Sequence, residues 1–172
     1  ILIKTLLGGF LSLLFHFQGE RVHIPHTPYL VIANHVTDFD PILLGITFDK
    51  HMYFVAGEHV FRGGALRRFA ARAFAPICRV KGRTDAAAAK QILKALKKGA
   101  NVCLFAEGNT CFNGVTEPVF ASTGQLARIS GAALVTYRLE GGYLAAPRWG
   151  RKRRSGPISG RVVNVYTPET LK

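Results

Sequence analysis

His35 and Asp40 stand five positions apart in "NHVTDFDP", at the end of the apolar run "YLVIA" and just before Pro41. These are the residue types for proton transfer. An aspartate on one imidazole nitrogen fixes the tautomer and supports the imidazolium that forms when the other nitrogen takes a proton. Residues five apart diverge on a straight helix, but a turn can fold the aspartate back onto the ring. "YLVIA" reads as a short buried strand, so His35 falls where that strand stops. Pro41 keeps Asp40 out of helical geometry and suits the first position of a helix through "PILLG". Two alternatives stay open here. Asp38 is a rival for the orienting role, and Asp40 could be an ordinary helix cap beside a turn histidine.

Other chemistry-bearing residues fall at comparable places. Arg79 ends "PICR", and Glu107 with Gly108 follows the apolar run "NVCLFA". Open α/β sheets place ligands at the C-terminal ends of their strands, so separate segments can converge there. Each residue also has a plainer reading: Arg79 as a surface arginine, Glu107 as a loop carboxylate or ion-pair partner. Arg83 has a claim equal to that of Arg79. Gly108 would let the backbone approach a ligand closely.

The elements that must position these residues alternate. "HMYFVAG" is a second strand, and "FRGGALRRFAARAFAP" is a basic amphipathic helix on Leu66, Phe69 and Ala73. "PICRV" is a short strand. "RTDAAAAKQILKALKKG" is a helix with Thr84 or Asp85 as N-cap and Gly99 as terminator. "NVCLFAEG", a helix through "TGQLARIS", and the strands "ALVTYRL" and "GRVVNVY" complete the set. The expected class is α/β, with a mixed, largely parallel central sheet flanked by helices and an apolar N-terminal helix. We expect residues 1–19 to be a membrane-associating segment and 20–172 to form the catalytic domain.

A chain of 172 residues at 48% hydrophobic can bury a sizeable core. Its 23 Lys plus Arg against 10 Asp plus Glu leave a net charge of +13, which suits nucleic acid, an anionic membrane surface or phosphorylated substrates. Cys78, Cys103 and Cys111 read as small core residues in a reducing compartment rather than a disulfide framework. None has a histidine at metal-ligand spacing, and His23 and His26 read as solvated loop residues, so no metal is expected. The opening "LLGGFLSLLFHF" is shorter than the roughly 20 residues that span a bilayer and is not followed by a clear signal-peptide cleavage site. It reads as an interfacial anchor or a core helix. Met52 is the only methionine, so a trimmed or incomplete copy is expected.

In this order the segments resemble the glycerolipid (lysophospholipid) acyltransferase family, of the 1-acylglycerol-3-phosphate acyltransferase type. "NHVTDFD" is similar to that family's N-H-x-x-x-x-D block, which implies catalytic roles for His35 and Asp40. "PICRV" is similar to a block whose arginine contacts the acceptor phosphate, here Arg79. "LFAEGN" is similar to F-P-E-G-T, whose Glu-Gly helps hold the glycerol phosphate, here Glu107 and Gly108. The departures are Ala106 for the proline, Asn109-Thr110 in place of the usual Thr-Arg, and no proline in "ALVTYRL". "GGYLAAPRW" is similar to a bacterial branch, and no role is assigned to Tyr143, Arg148 or Trp149.

The resemblance implies a glycerol-3-phosphate acyltransferase-like fold and acyl transfer from acyl-CoA or acyl carrier protein to a lysolipid hydroxyl. The acceptor it implies first is 1-acylglycerol-3-phosphate, giving phosphatidic acid at the cytoplasmic face of a membrane. It implies no cofactor beyond the thioester co-substrate. The competing classes are a basic phosphate- or nucleic-acid-binding module, for which "RWGRKRR" speaks, and a thioester hydrolase. The basic runs lack the regularly interleaved aromatics of single-strand binders, so no nucleic acid is expected, and the same run suits anionic headgroups.

Overall fold

The computed structural model describes residues 2–62, 64, 65, 68, 72, 74, 77–80, 86–116, 118, 119, 121–146, 149, 150, 154 and 156–171. Its elements in chain order are α1 (Leu2–Phe15), β1 (Gln18–Gly19), β2 (Tyr29–Ala33), α2 (Asp40–Thr47), β3 (Met52–Gly57), α3 (Glu58–Phe61) and β4 (Ile77–Arg79). Then come α4 (Ala86–Lys97), β5 (Asn101–Phe105), α5 (Ala121–Ser130), β6 (Ala133–Glu140), α6 (Gly142–Ala145) and β7 (Ser159–Tyr166). The seven strands order as β1-β7-β6-β2-β5-β3-β4. All pairs are parallel except β6 with β7, so the sheet is mixed and largely parallel.

Strand β2 is central because its five residues are apolar on both faces, as a strand covered by helices on each side requires. Tyr29, Val31 and Ala33 enter one cluster with Phe54, Cys103, Phe105 and Val135, capped by Leu44 and Phe48 of the α2 region. Leu30, with Val102 and Leu104, enters the opposite cluster against Ile92 and Leu96 of α4 and Leu126 of α5. The two-residue period of a strand divides the faces. Helix α4 is built from strong helix formers with Lys94 and Lys97 in its last turn, and Gly99 ends it at φ +81°. Its expected caps, Thr84 and Asp85, lie outside the described residues, as do Leu66, Phe69 and Ala73 of the basic helix.

The end of α1 and strand β1 pack onto the sheet. Phe15 is fully buried, its ring 5.1 Å from that of Phe39, and β1 pairs with β7. The other side of α1 leaves Leu6, Phe10 and Leu13 at 66%, 61% and 78% exposure. Among the described residues no helix is long and apolar enough to cross a membrane. His23, expected as a solvated loop histidine, is exposed but meets Asp49 at 2.6 Å, and that hydrogen bond holds the Asp49 carboxyl below its usual range.

Candidate active site

The C-terminal end of β2 delivers His35 onto the α2 face of the sheet. Its ring stacks on Phe105 of β5 with centroids 4.1 Å apart. Asp40 opens α2, and the turn between them does what the spacing required. Asp40 Oδ2 accepts from His35 Nδ1 at 2.9 Å and from the Val36 and Thr37 amides at 2.6 and 2.8 Å. Oδ1 accepts from the Thr37 hydroxyl at 2.6 Å. The carboxylate is 1% exposed and the imidazole 19%, so the aspartate is enclosed while the histidine still reaches solvent. A carboxylate on Nδ1 places the ring proton there and leaves Nε2 as the open, basic nitrogen. Asp40 therefore orients the ring, and the rival Asp38 is exposed.

The backbone of His35 is held as firmly as its ring. Its amide donates to Glu107 Oε1 at 3.0 Å, and its carbonyl accepts from the Cys111 amide at 2.7 Å. Asn34 adds a third anchor, donating through Nδ2 to the Leu139 carbonyl at 2.8 Å and accepting from the Leu139 amide at 2.7 Å. The β2–β6 ladder ends at Ala33 opposite Tyr137, and the Asn34 side chain continues it as a peptide group would. The loop after β5 and strand β6 thus fix the residues that follow β2.

Glu107 is 4% exposed and sits beneath His35. Gly108 closes the turn after β5 at φ +71°, its amide donating to the Phe105 carbonyl at 3.1 Å. That left-handed conformation is why a glycine stands there. Arg79 does end β4, opposite Gly57 of β3. Strand order sets β4 two spacings from β5, roughly 10 Å. Ile77 of the same strand packs into the cluster with Ile92 and Leu96 of α4. Arg83 lies outside the described residues.

Sequence reasoning missed Asn34 and Thr37 as supports of the pair, although both stand inside the quoted block. Cys111 is buried, as expected of a small core residue. It stands in the loop after β5, where its thiol donates to the Val115 carbonyl at 3.0 Å and accepts from the Gly114 amide at 3.1 Å. Cys103 is the core residue expected, and burial, then the Asp40 carboxylate, push its thiol far up, leaving it neutral rather than nucleophilic.

The arrangement offers a base with an oriented ring and an open nitrogen, at the strand edge where α/β sheets hold ligands. The acyltransferase family model matches residues 15–150, a span that includes His35, Asp40, Arg79, Arg83, Glu107 and Gly108. The fold is similar to the crystal structure of PlsC, the 1-acyl-sn-glycerophosphate (LPA) acyltransferase of Thermotoga maritima, with a TM-score of 0.72 at 19% identity. The match covers 89% of this chain and 61% of that one, so the chain spans less than two thirds of the relative.

Proposed function

The chain belongs to the acyltransferase family, and on that premise we propose that it moves a fatty acyl group from a thioester donor to the free hydroxyl of a lysophospholipid. The acceptor we assign is 1-acylglycerol-3-phosphate, the product phosphatidic acid, and the donor acyl-CoA or acyl carrier protein. The observation that carries this reading is the His35–Asp40 pair, bonded at 2.9 Å. It is a base with its orienter, in a site that needs no enzyme nucleophile because the acceptor hydroxyl serves as one.

His35 Nε2 takes the hydroxyl proton as that oxygen bonds to the thioester carbonyl carbon. Asp40 stabilises the imidazolium through Nδ1. Collapse of the tetrahedral intermediate breaks the carbon–sulfur bond, and His35 returns the proton to the departing thiolate. Arg79 or Arg83 holds the acceptor phosphate, with two parallel hydrogen bonds available to a guanidinium. This chemistry asks for no metal or bound cofactor.

The enzyme works at a membrane, which for this chain is the cytoplasmic face. The exposed Leu6, Phe10 and Leu13 of α1 and the net charge of +13 support that placement, since apolar area and basic residues both favour anionic bilayers. Incubation with a labelled acyl thioester and a panel of lysolipids, followed by mass spectrometry, tests the reading. Labelled phosphatidic acid is the expected product. Release of free thiol without transfer to any lysolipid would replace the acyltransferase with a hydrolase.

A further inference from the structure

We propose that the loop after β5, helix α6 and Trp149 together form a second membrane-contact surface, which seats in the headgroup region of an anionic bilayer. The inference rests on the membrane reading above and adds to it: α1 holds the chain at the bilayer, and this face fixes which side of the domain meets it. Phe112 and Val115 of the loop, Leu144 of α6 and Trp149 are each more than half exposed. Large apolar side chains exposed singly need no explanation, but a group of them at one place marks an interaction site.

Contacts between the segments put them at one place. The Gly114 backbone comes against Tyr143, where a Cβ would stand 3.0 Å from the ring, and its φ of +84° is one that glycine takes freely. Tyr143 precedes Leu144, and its hydroxyl accepts from Trp149 Nε1 at 3.2 Å. The Tyr143 and Trp149 rings stand edge to face with centroids 6.2 Å apart. The loop itself is a hydrogen-bonded turn, the Gly114 amide donating to the Cys111 thiol at 3.1 Å and the Val115 amide to the Asn113 side chain at 3.0 Å.

Chemistry selects a lipid surface as the occupant. Tyrosine and tryptophan join an apolar ring to a polar tip, which suits the boundary between hydrocarbon and water. From Gly141 to Arg154 the sequence holds five basic residues and no acid. That stretch is tied back to α6 where the Arg154 amide donates to the Ala145 carbonyl at 2.8 Å, and Arg154 is exposed. Glu140, just before it, is paired with Arg138 at 2.9 Å. Basic residues beside exposed apolar ones are what an anionic leaflet attracts.

The face is joined to the turn that carries the catalytic pair. The Cys111 amide donates to the His35 carbonyl at 2.7 Å, and Gly142 of α6 backs onto Thr37, where a Cβ would stand 3.0 Å from Cγ2. Seating the face therefore brings the His35–Asp40 turn to the bilayer surface, where lysolipid acceptors reside. Phe15 of α1 and Ala145 of α6 share a core cluster. Once α1 is at the surface, seating is an intramolecular step, and a small apolar area suffices for it.

Trp149 is the one tryptophan of the chain, so its fluorescence reads this face alone. With the full chain and vesicles of phosphatidylglycerol in phosphatidylcholine, we expect its emission to move to shorter wavelength and to be quenched by brominated acyl chains. Pure phosphatidylcholine vesicles should give a smaller response. The variant Phe112→Glu/Val115→Glu/Leu144→Glu should partition onto the anionic vesicles more weakly on the order of tenfold, equivalent to about 1.4 kcal/mol. Its transfer to vesicle-borne lysolipid should fall, while transfer to a short-chain lysolipid dispersed as monomers stays within about twofold. Melting temperatures verify folding, and if that variant does not fold, the Trp149 response of the unmodified chain decides alone. A chain that sediments with vesicles while Trp149 emission is unchanged overturns the proposal, as does an equal response to neutral vesicles. A response to acyl carrier protein and none to vesicles gives the face to a protein partner and also overturns it. Failure of the membrane reading itself looks different: the unmodified chain then stays in the supernatant with every vesicle.

Discussion

Replacing Asp40 with asparagine separates the charge of the orienter from its geometry. The asparagine oxygen can keep the place of Oδ2, accepting from His35 Nδ1 and from the Val36 and Thr37 amides, now at 2.9, 2.6 and 2.8 Å. The new amide nitrogen meets the Thr37 hydroxyl, which can turn to accept from it. What disappears is the negative charge opposite the imidazolium. With charge centres roughly 4 Å apart and an effective dielectric near 20, that attraction is about 4 kcal/mol, or close to a thousandfold in rate at about 1.4 kcal/mol per decade. The proton is only partly transferred in the transition state, so a loss on the order of a hundred- to a thousandfold is expected. Initial rates of thiol release and of labelled product, at saturating donor and acceptor, measure it, with the melting temperature as a control for folding. Asp40→Ala is the wrong probe, because it strands all four donors that Asp40 satisfies, at about 1–3 kcal/mol for each buried one. Asp38→Asn should change the rate only a few-fold. A folded Asp40→Asn enzyme within tenfold of the parent would refute the orienter assignment, and a more severe Asp38→Asn would transfer the role to Asp38.

Asn34→Ala should leave the amide and carbonyl of Leu139 without their partner, costing about 1–3 kcal/mol, and roughly 2–4 °C of melting temperature per kcal/mol should be seen by calorimetry. Arg79→Ala and Arg79→Lys should both lose transfer to lysophosphatidate, with a much smaller loss on a lysolipid acceptor that lacks the phosphate; equal losses on both acceptors would move the phosphate contact to Arg83. The protein should sediment with vesicles rich in anionic lipid and be released in part by high salt, because exposed charge attraction is screened. Glutamate at Leu6, Phe10 and Leu13 together should remove the salt-resistant share, and unchanged sedimentation of that variant would dismiss α1 as the anchor.

The sheet was legible because most of its strands are short apolar runs whose boundaries are marked by proline, glycine or charge. "YLVIA", "MYFVAG" and "NVCLF" stand in the structure as β2, β3 and β5. Strand β1 could not be read, because Gln18-Gly19 has no strand character of its own and takes its geometry from pairing with Ser159-Gly160. The short α3 and α6 are four residues each, too brief for a helical period to show. Within the site, the local part was legible: His35 and Asp40 share one turn, so spacing and Pro41 suffice to suggest their contact. Asn34 meets Leu139 across 105 positions and His35 meets Glu107 across 72. Such contacts follow from strand order, which no local pattern encodes. The strand order that separates β4 from β5 is likewise not encoded locally, since ending a strand says nothing about how many strands intervene.

The two buried carboxylates of the site acquire a common sense once charge is considered over the whole molecule. A protein at +13 carries a field that opposes adding another positive charge. The proposed general-base mechanism requires just that addition, because in it His35 becomes an imidazolium in mid-reaction. Asp40 at 1% exposure and Glu107 at 4% stand next to the ring and beneath its backbone, where low surrounding polarity strengthens their effect and salt screens it little. The basic exterior can then gather phosphorylated acceptors without discouraging protonation of the residue that must act on them. Removing either acid should weaken catalysis most at low ionic strength, where the exterior field is least screened, and a loss independent of salt would confine both carboxylates to local hydrogen bonding.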